Sequence, residues 1–183
     1  AIHLTLIRYF VGGQAVITQG GLFIGAFDKE LGKNTSIIIN VIQLAFLILG
    51  LVYLQKIAGR RTLFLISLST LTLLNLGLAI SMIFSHVLAS MFIMCIYMAV
   101  YGASYIAPVW SYPTEIIPAK QSTIPNIVQW LSLAISTLVP PLITGSMPNS
   151  NPYPIFIFYG LYTFIGFIHV FKMLKEPDGK SYY

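Results

Sequence analysis

The feature that most limits how this chain can fold is a series of six long apolar stretches. They run over residues 6–27, 36–54, 62–84, 87–110, 124–145 and 153–173. Each is close to the roughly 20 residues that a helix needs to cross the hydrocarbon core of a bilayer. Charged residues make up only 8% of the chain, whereas a soluble domain carries about 25%. The sequence therefore predicts an all-α membrane protein of six transmembrane helices.

Short polar loops join the six stretches, and no long linker or low-complexity tract separates them. We therefore expect residues 1–183 to form one six-helix domain in a lipid bilayer. If the N-terminal end is cytoplasmic, eight of the ten Lys and Arg residues lie on that side, and only Lys29 and Lys33 lie on the other. Positive charge concentrates on the cytoplasmic side of membrane proteins. Both ends of the chain are thus predicted to be cytoplasmic, or on a matrix-like side.

Charge and motif content argue against several other classes of protein. The net charge of +5 does not indicate nucleic-acid binding, because the cations lie at the ends of the apolar stretches and not on one basic face. The sequence has no Ser-His-acid set, no metal-ligand spacing among His3, His86 and His169, and no phosphate-binding glycine loop. We expect no enzyme activity, no cofactor, no bound metal and no nucleic-acid partner.

Uncharged polar residues mark the first apolar stretch. Gln14, Thr18 and Gln19 recur there at helical spacing, and glycines surround them. The two glutamines could edge one water-filled cavity, because they fall within about 140° of each other around a helix. Alternatively, the glycines permit close helix packing and the amides form hydrogen bonds across helices. These residues alone leave both interpretations open.

A second unusual segment ends the fourth apolar stretch. Residues 101–118 combine Gly102 and Pro108 with several aromatic side chains. In lipid, a backbone interrupted by Gly and Pro is tolerated only where it is buried in protein or faces a water-filled cavity. We therefore expect a helix break at Gly102 and Pro108 that lines a pathway.

Three motifs, in this order, resemble those of the sugar porter family of the major facilitator superfamily. Residues 58–62 are similar to the Gly-Arg-Arg loop of that family. Trp110 and Glu115, followed by residues 116–118, are similar to its Trp and Ser-Glu-Ile-Phe-Pro stretch, and residues 176–181 resemble its Pro-Glu-Thr-Lys-Gly tail. The resemblance is to spans seven to twelve, so it implies the C-terminal half of a major facilitator fold.

The resemblance also implies roles for individual residues. Gln14 and Gln19 correspond to side chains of the seventh span that bind sugar hydroxyls. Trp110 corresponds to the tryptophan near the sugar, and Gln129 lies where the family places another polar sugar contact. These four residues are the predicted substrate site.

A second implied group is a cytoplasmic gate. Arg60, Arg61 and Glu115 correspond to charges that hold the inner side closed in the outward-facing state. The chain also departs from the family pattern. Lys56 replaces an acidic residue, Ser122 replaces a basic one, and Leu133 and Gly102 stand where many members carry Asn and Glu.

Two functions follow as hypotheses. The first is transport of a small polar solute, with a sugar favoured, by alternating access together with a first six-helix half that this sequence lacks. That half would lie in the same polypeptide or in another subunit, and we expect this sequence to be part of a longer chain. The alternative is a transporter-derived structural subunit of a larger membrane complex, without transport activity. The departures from the family pattern favour this alternative.

Overall fold

The computed structural model describes residues 7, 9–54, 60–106, 123–145 and 151–173, and these residues form helices and short connections without any strand. The six helices are α1 (Gly13–Gly25), α2 (Lys29–Leu49), α3 (Arg60–Ile83), α4 (Val87–Val100), α5 (Thr123–Gly145) and α6 (Tyr153–Met173). Two of them continue as π-helices, α2 over Gly50–Leu54 and α4 over Tyr101–Ile106. The predicted all-helical fold class is confirmed for this part of the chain.

Four of these helical segments are long and apolar enough to cross a membrane. They are Lys29–Leu54, Arg61–Ile83, Val87–Ile106 and Tyr153–Lys172. In α5, whose side chains are described over residues 127–142, Ile127–Leu142 forms an apolar helical stretch, and α1 has only 13 residues. Six helices therefore correspond to the six predicted spans, and four of them have the length and hydropathy of a membrane span by themselves.

Helix α2 begins about two turns before the apolar stretch that predicted it. The Asp28 carboxylate accepts hydrogen bonds from the backbone N–H groups of Glu30 at 2.9 Å and Leu31 at 3.1 Å. Since the first N–H groups of a helix have no partner within it, an acceptor at this position starts the helix. The polar residues that follow Asp28 therefore form its first turns and not a loop.

The first predicted span is not one continuous helix. Ile7, Tyr9 and Phe10 are helical, but Gly12 has φ 100° and ψ −9°, and α1 starts only after it. Glycine adopts this left-handed conformation readily because it has no Cβ. The stretch 6–27 is thus divided at Gly12.

The buried core lies where α1, α3, α4 and α6 meet, and α3 and α6 form the most extensive helix pair. Large side chains such as Leu71, Met94 and Phe156 are fully buried there. By contrast, α2 and α5 expose many apolar side chains, including Leu44 and Leu138. Extensive exposed apolar surface is typical of a protein that is covered by lipid or by a partner.

Glycines allow two pairs of backbones to approach closely. A Cβ on Gly32 of α2 would lie only 2.5 Å from the carbonyl oxygen of Gly21 on α1. A Cβ on Gly50 would collide with the carbonyl group of Ala103, where the two π-helical segments meet. These contacts hold α2 against α1 on one side and against the end of α4 on the other.

Candidate functional site

Because the helix is interrupted at Gly12, the Val11 carbonyl does not take part in the hydrogen bonding of a helix. Two side chains from two other helices donate hydrogen bonds to its oxygen, Asn75 Nδ2 at 3.0 Å and the Tyr97 hydroxyl at 2.8 Å. Thr163 Oγ1 lies 3.5 Å from the same oxygen, and its hydroxyl donates to the carbonyl oxygen of Tyr159 at 2.6 Å. All three side chains are fully buried. A backbone group freed inside an apolar bundle needs such partners, because hydrocarbon offers none.

Three tyrosines extend this polar cluster along α4 and its π-helical continuation. The rings of Tyr97 and Tyr101 stack with centroids 6.3 Å apart, and those of Tyr101 and Tyr105 with centroids 5.2 Å apart. The Tyr105 hydroxyl donates to the carbonyl oxygen of Ile7 at 3.0 Å. The segment before Gly12 is therefore held at two carbonyls, one helical turn apart.

The two predicted site glutamines of α1 have different surroundings. Gln14 is half-buried, and its backbone carbonyl accepts a hydrogen bond from the Thr18 hydroxyl at 2.9 Å. Gln19 is only 9% exposed, and its Nε2 donates to the carbonyl oxygen of Thr137 on α5 at 2.9 Å. The bond across helices, one of the two interpretations that the sequence left open, is therefore present at Gln19.

Two prolines explain why α5 can accept such a bond. In an α-helix, the carbonyl of residue 137 would bind the N–H of residue 141, but Pro141 has no N–H. Pro140 has the same effect on Ser136. The freed Ser136 carbonyl accepts a hydrogen bond from the Tyr159 hydroxyl of α6 at 3.3 Å. Side chains of α1 and α6 thus satisfy two adjacent carbonyls that prolines free on α5.

The remaining predicted substrate and helix-break residues are only partly described. Gln129 is half-buried on α5, and Trp110 and Pro108 lie outside the described residues. Gly102 is buried in a π-helical turn, where a Cβ would lie 2.7 Å from the Gln43 carbonyl oxygen. The backbone therefore stays helical at Gly102, with a wider turn, and the close approach to α2 leaves no room for a side chain.

The predicted gate residues are also only partly described. Arg60 is the first residue of α3, and Glu115 lies outside the described residues. Arg61 Nη2 donates a hydrogen bond to the carbonyl oxygen of Phe171 at 3.2 Å. Because the last carbonyls of a helix have no partner within it, Arg61 binds the C-terminal end of α6. Its buried Nε has no hydrogen-bond partner among the described residues.

Sequence reasoning missed the cluster around Val11, although one signal was present. Asn75 is the single amide side chain in α3, which is otherwise rich in leucine. An amide in an apolar span normally bonds to a neighbouring helix, so Asn75, like the glutamines of the first span, indicates such a contact. Its Oδ1 atom is buried without a hydrogen-bond partner in the described part of the chain.

A family model described as "Sugar (and other) transporter" matches residues 23–183. The matched range includes the end of α1 and all of α2 to α6, and it begins after Gln14 and Gln19. No curated protein matches the chain significantly.

Proposed function

Because this chain belongs to the sugar (and other) transporter family, we propose that it moves a small polar solute across a membrane by alternating access, with sugars as the favoured class. The observation that carries this proposal is the family match over residues 23–183 of a chain whose described residues include six helices. Four segments with the length and hydropathy of a membrane span support it.

The proposed transport unit contains a second set of helices. This chain would supply spans seven to twelve, and the first six would come from the same polypeptide or from another subunit. The order of the Gly-Arg-Arg, Trp-Glu and tail motifs supports this assignment. In such transporters the substrate site lies between two repeats that rock against each other. The charge distribution would place both ends of this chain on the cytoplasmic side.

The proposed substrate site consists of Gln14, Gln19, Trp110 and Gln129. Along their helices, Gln14 precedes Gln19 by about 7.5 Å, and Gln129 precedes Thr137 by about 12 Å. In the proposed topology α1 and α5 run in the same direction, and the bond between Gln19 and Thr137 aligns them. The depths of Gln14 and Gln129 in the membrane would then differ by about 5 Å. This similar depth supports one shared site.

The proposed gate consists of Arg60, Arg61 and Glu115. Arg61 lies beside the C-terminal end of α6, where α3 begins. A charge cluster at this level would link the ends of several helices in one conformation and release them in the other. An energy difference of about 1.4 kcal/mol between the two conformations changes their ratio tenfold, so even a weak ion pair biases the equilibrium.

Uptake of labelled hexose by the full native polypeptide in proteoliposomes tests the function. Gln14→Ala combined with Gln19→Ala should weaken the apparent affinity, since each hydroxyl left without a partner costs about 1–3 kcal/mol. Asn40→Ala is a matched control, because this exposed amide of α2 bonds to the Ser36 carbonyl of its own helix at 2.7 Å. Unchanged uptake and affinity in the double variant would contradict the site, and no uptake of any sugar by the unmodified protein would contradict the function.

The second candidate function is a transporter-derived structural subunit of a larger membrane complex. It is favoured by the residues that replace family polar or charged groups at Lys56, Ser122 and Leu133. Measuring the mass of the native polypeptide separates the two candidates. A chain of about twelve spans favours transport, whereas a chain of about six spans that copurifies with other subunits favours the structural role.

A further inference from the structure

We propose that the carbonyl oxygen of Thr137 is a binding site for a solute hydroxyl, which inserts between this oxygen and the Gln19 amide. The inference rests on the proposed function, because the hydroxyl would belong to the transported solute. It adds a backbone acceptor on α5 to the side chains already assigned to the site.

The carbonyl group of Thr137 lies where α5 cannot form one of its own hydrogen bonds. Pro141 removes the N–H that would otherwise bind the Thr137 oxygen within α5. This oxygen therefore lacks its usual hydrogen-bond partner within the helix. In the structure its partner is Gln19 Nε2, at 2.9 Å.

The two carbonyls freed by the prolines are not equally exchangeable. The Ser136 oxygen is bound by Tyr159, whose side chain is 1% exposed and whose ring packs on Gly12. Displacing Tyr159 would disturb the packing around the division of the first span. Gln19 has a flexible side chain, and its neighbour Thr18 on α1 is exposed. Thr137 is thus the carbonyl whose partner can change.

A hydroxyl group fits this position chemically because it donates and accepts at once. Its O–H would donate to the Thr137 oxygen, and its oxygen would accept from Gln19 Nε2. One hydrogen bond is replaced by two, no proton is transferred, and neither protein group loses a partner. A solute without a hydroxyl at this point leaves the bond between Gln19 and Thr137 closed and gains no contact from the pair, so this position favours a solute that carries a hydroxyl group.

A double-mutant cycle without any solute tests the pairing. Gln19→Leu should lower the thermal unfolding midpoint of the full native polypeptide, because it leaves the Thr137 oxygen unsatisfied. In a Pro141→Ala background, the N–H of residue 141 can bind this oxygen, so Gln19→Leu should have little effect. Pro140→Ala is the matched control and should leave the effect of Gln19→Leu intact. Equal effects of Gln19→Leu in all three backgrounds would overturn the proposal.

Binding of a hexose and its monodeoxy analogues tests the hydroxyl contact. In the unmodified protein, one analogue should bind about 5- to 150-fold more weakly than the parent sugar. The ratio of the dissociation constants of this analogue and the parent sugar should fall towards one in Pro141→Ala and should stay unchanged in Pro140→Ala. If Pro141→Ala binds hexose normally and this ratio of dissociation constants is unchanged, the hydroxyl site alone is overturned. Absence of all hexose binding would overturn the proposed function as well, and the solute-free cycle would still decide the pairing of Gln19 with Thr137.

Discussion

The Tyr97 hydroxyl donates a hydrogen bond at 2.8 Å to the carbonyl oxygen of Val11, a backbone group that the left-handed Gly12 removes from the helical ladder. Asn75 donates to the same oxygen. The division of the first span is therefore stabilised from within the core, and the segment that carries Gln14 starts from a fixed point.

Tyr97→Phe should lower the stability of the protein by about 1 kcal/mol, since it removes one donor from a buried oxygen. The measurement is the thermal unfolding midpoint in detergent. Tyr162→Phe on α6 is the control, because the half-buried Tyr162 contacts Phe10 through its ring. Equal midpoints for both variants would contradict the role given to the Tyr97 hydroxyl.

Gly32→Ala should destabilise the pair of α1 and α2 by about 1–3 kcal/mol, the usual cost of overpacking. The added Cβ would lie 2.5 Å from the Gly21 carbonyl oxygen, and a backbone atom cannot move aside as a side chain can. Gly77→Ala is the matched control, because its Cβ would meet only Ile93 Cδ1 at 3.8 Å. There the better helix propensity of Ala should leave stability unchanged or raise it by up to about 1 kcal/mol. A denaturation series on both variants checks the difference in sign.

Asp28→Ala should lower stability by about 1 kcal/mol, because the backbone N–H groups of Glu30 and Leu31 lose their acceptor. Asp28→Asn keeps a side-chain oxygen and should retain most of the stability. Faster hydrogen exchange at the first turn of α2 in the Ala variant, but not in the Asn variant, is the expected signature. The same exchange rates in both variants would show that the charge, and not the cap, matters.

Arg61→Ala should loosen the last turn of α6, because the Phe171 carbonyl loses its donor. A cation near a helix C-terminus contributes about 0.3–1 kcal/mol, so amide exchange there should rise about two- to fivefold. The exposed Lys172, which lies in the same turn, provides the control variant Lys172→Ala. If Lys172→Ala has the larger effect, general charge and not the specific bond stabilises this end.

The apolar stretches predicted the helices because length and hydropathy alone decide which segments a bilayer accommodates. Stretch 153–173 has the bounds of α6, and stretch 124–145 begins one residue after α5 does. The prediction failed at the start of α2, where Asp28 draws polar residues into the helix. Helix ends depend on single side-chain bonds, and hydropathy does not record these.

The site was predicted less completely, for a physical reason. The first span contains several glycines, and the pattern does not say which one takes a left-handed conformation. Only the ring of Tyr159 and the donors to Val11 distinguish Gly12. Likewise, the motif selected Gln19 but not its partner, because the acceptor is a backbone atom that Pro141 frees on a distant helix.

The contacts of Gly50 with Ala103 and of Gly102 with Gln43 have a consequence for how this chain can vary. At these two points main chain rests directly on main chain, so no repacking of neighbouring side chains can compensate for an added methyl group. A saturation mutagenesis screen should therefore find near-zero tolerance of any side chain at Gly50 and Gly102, in contrast to the exposed apolar positions of the same helices.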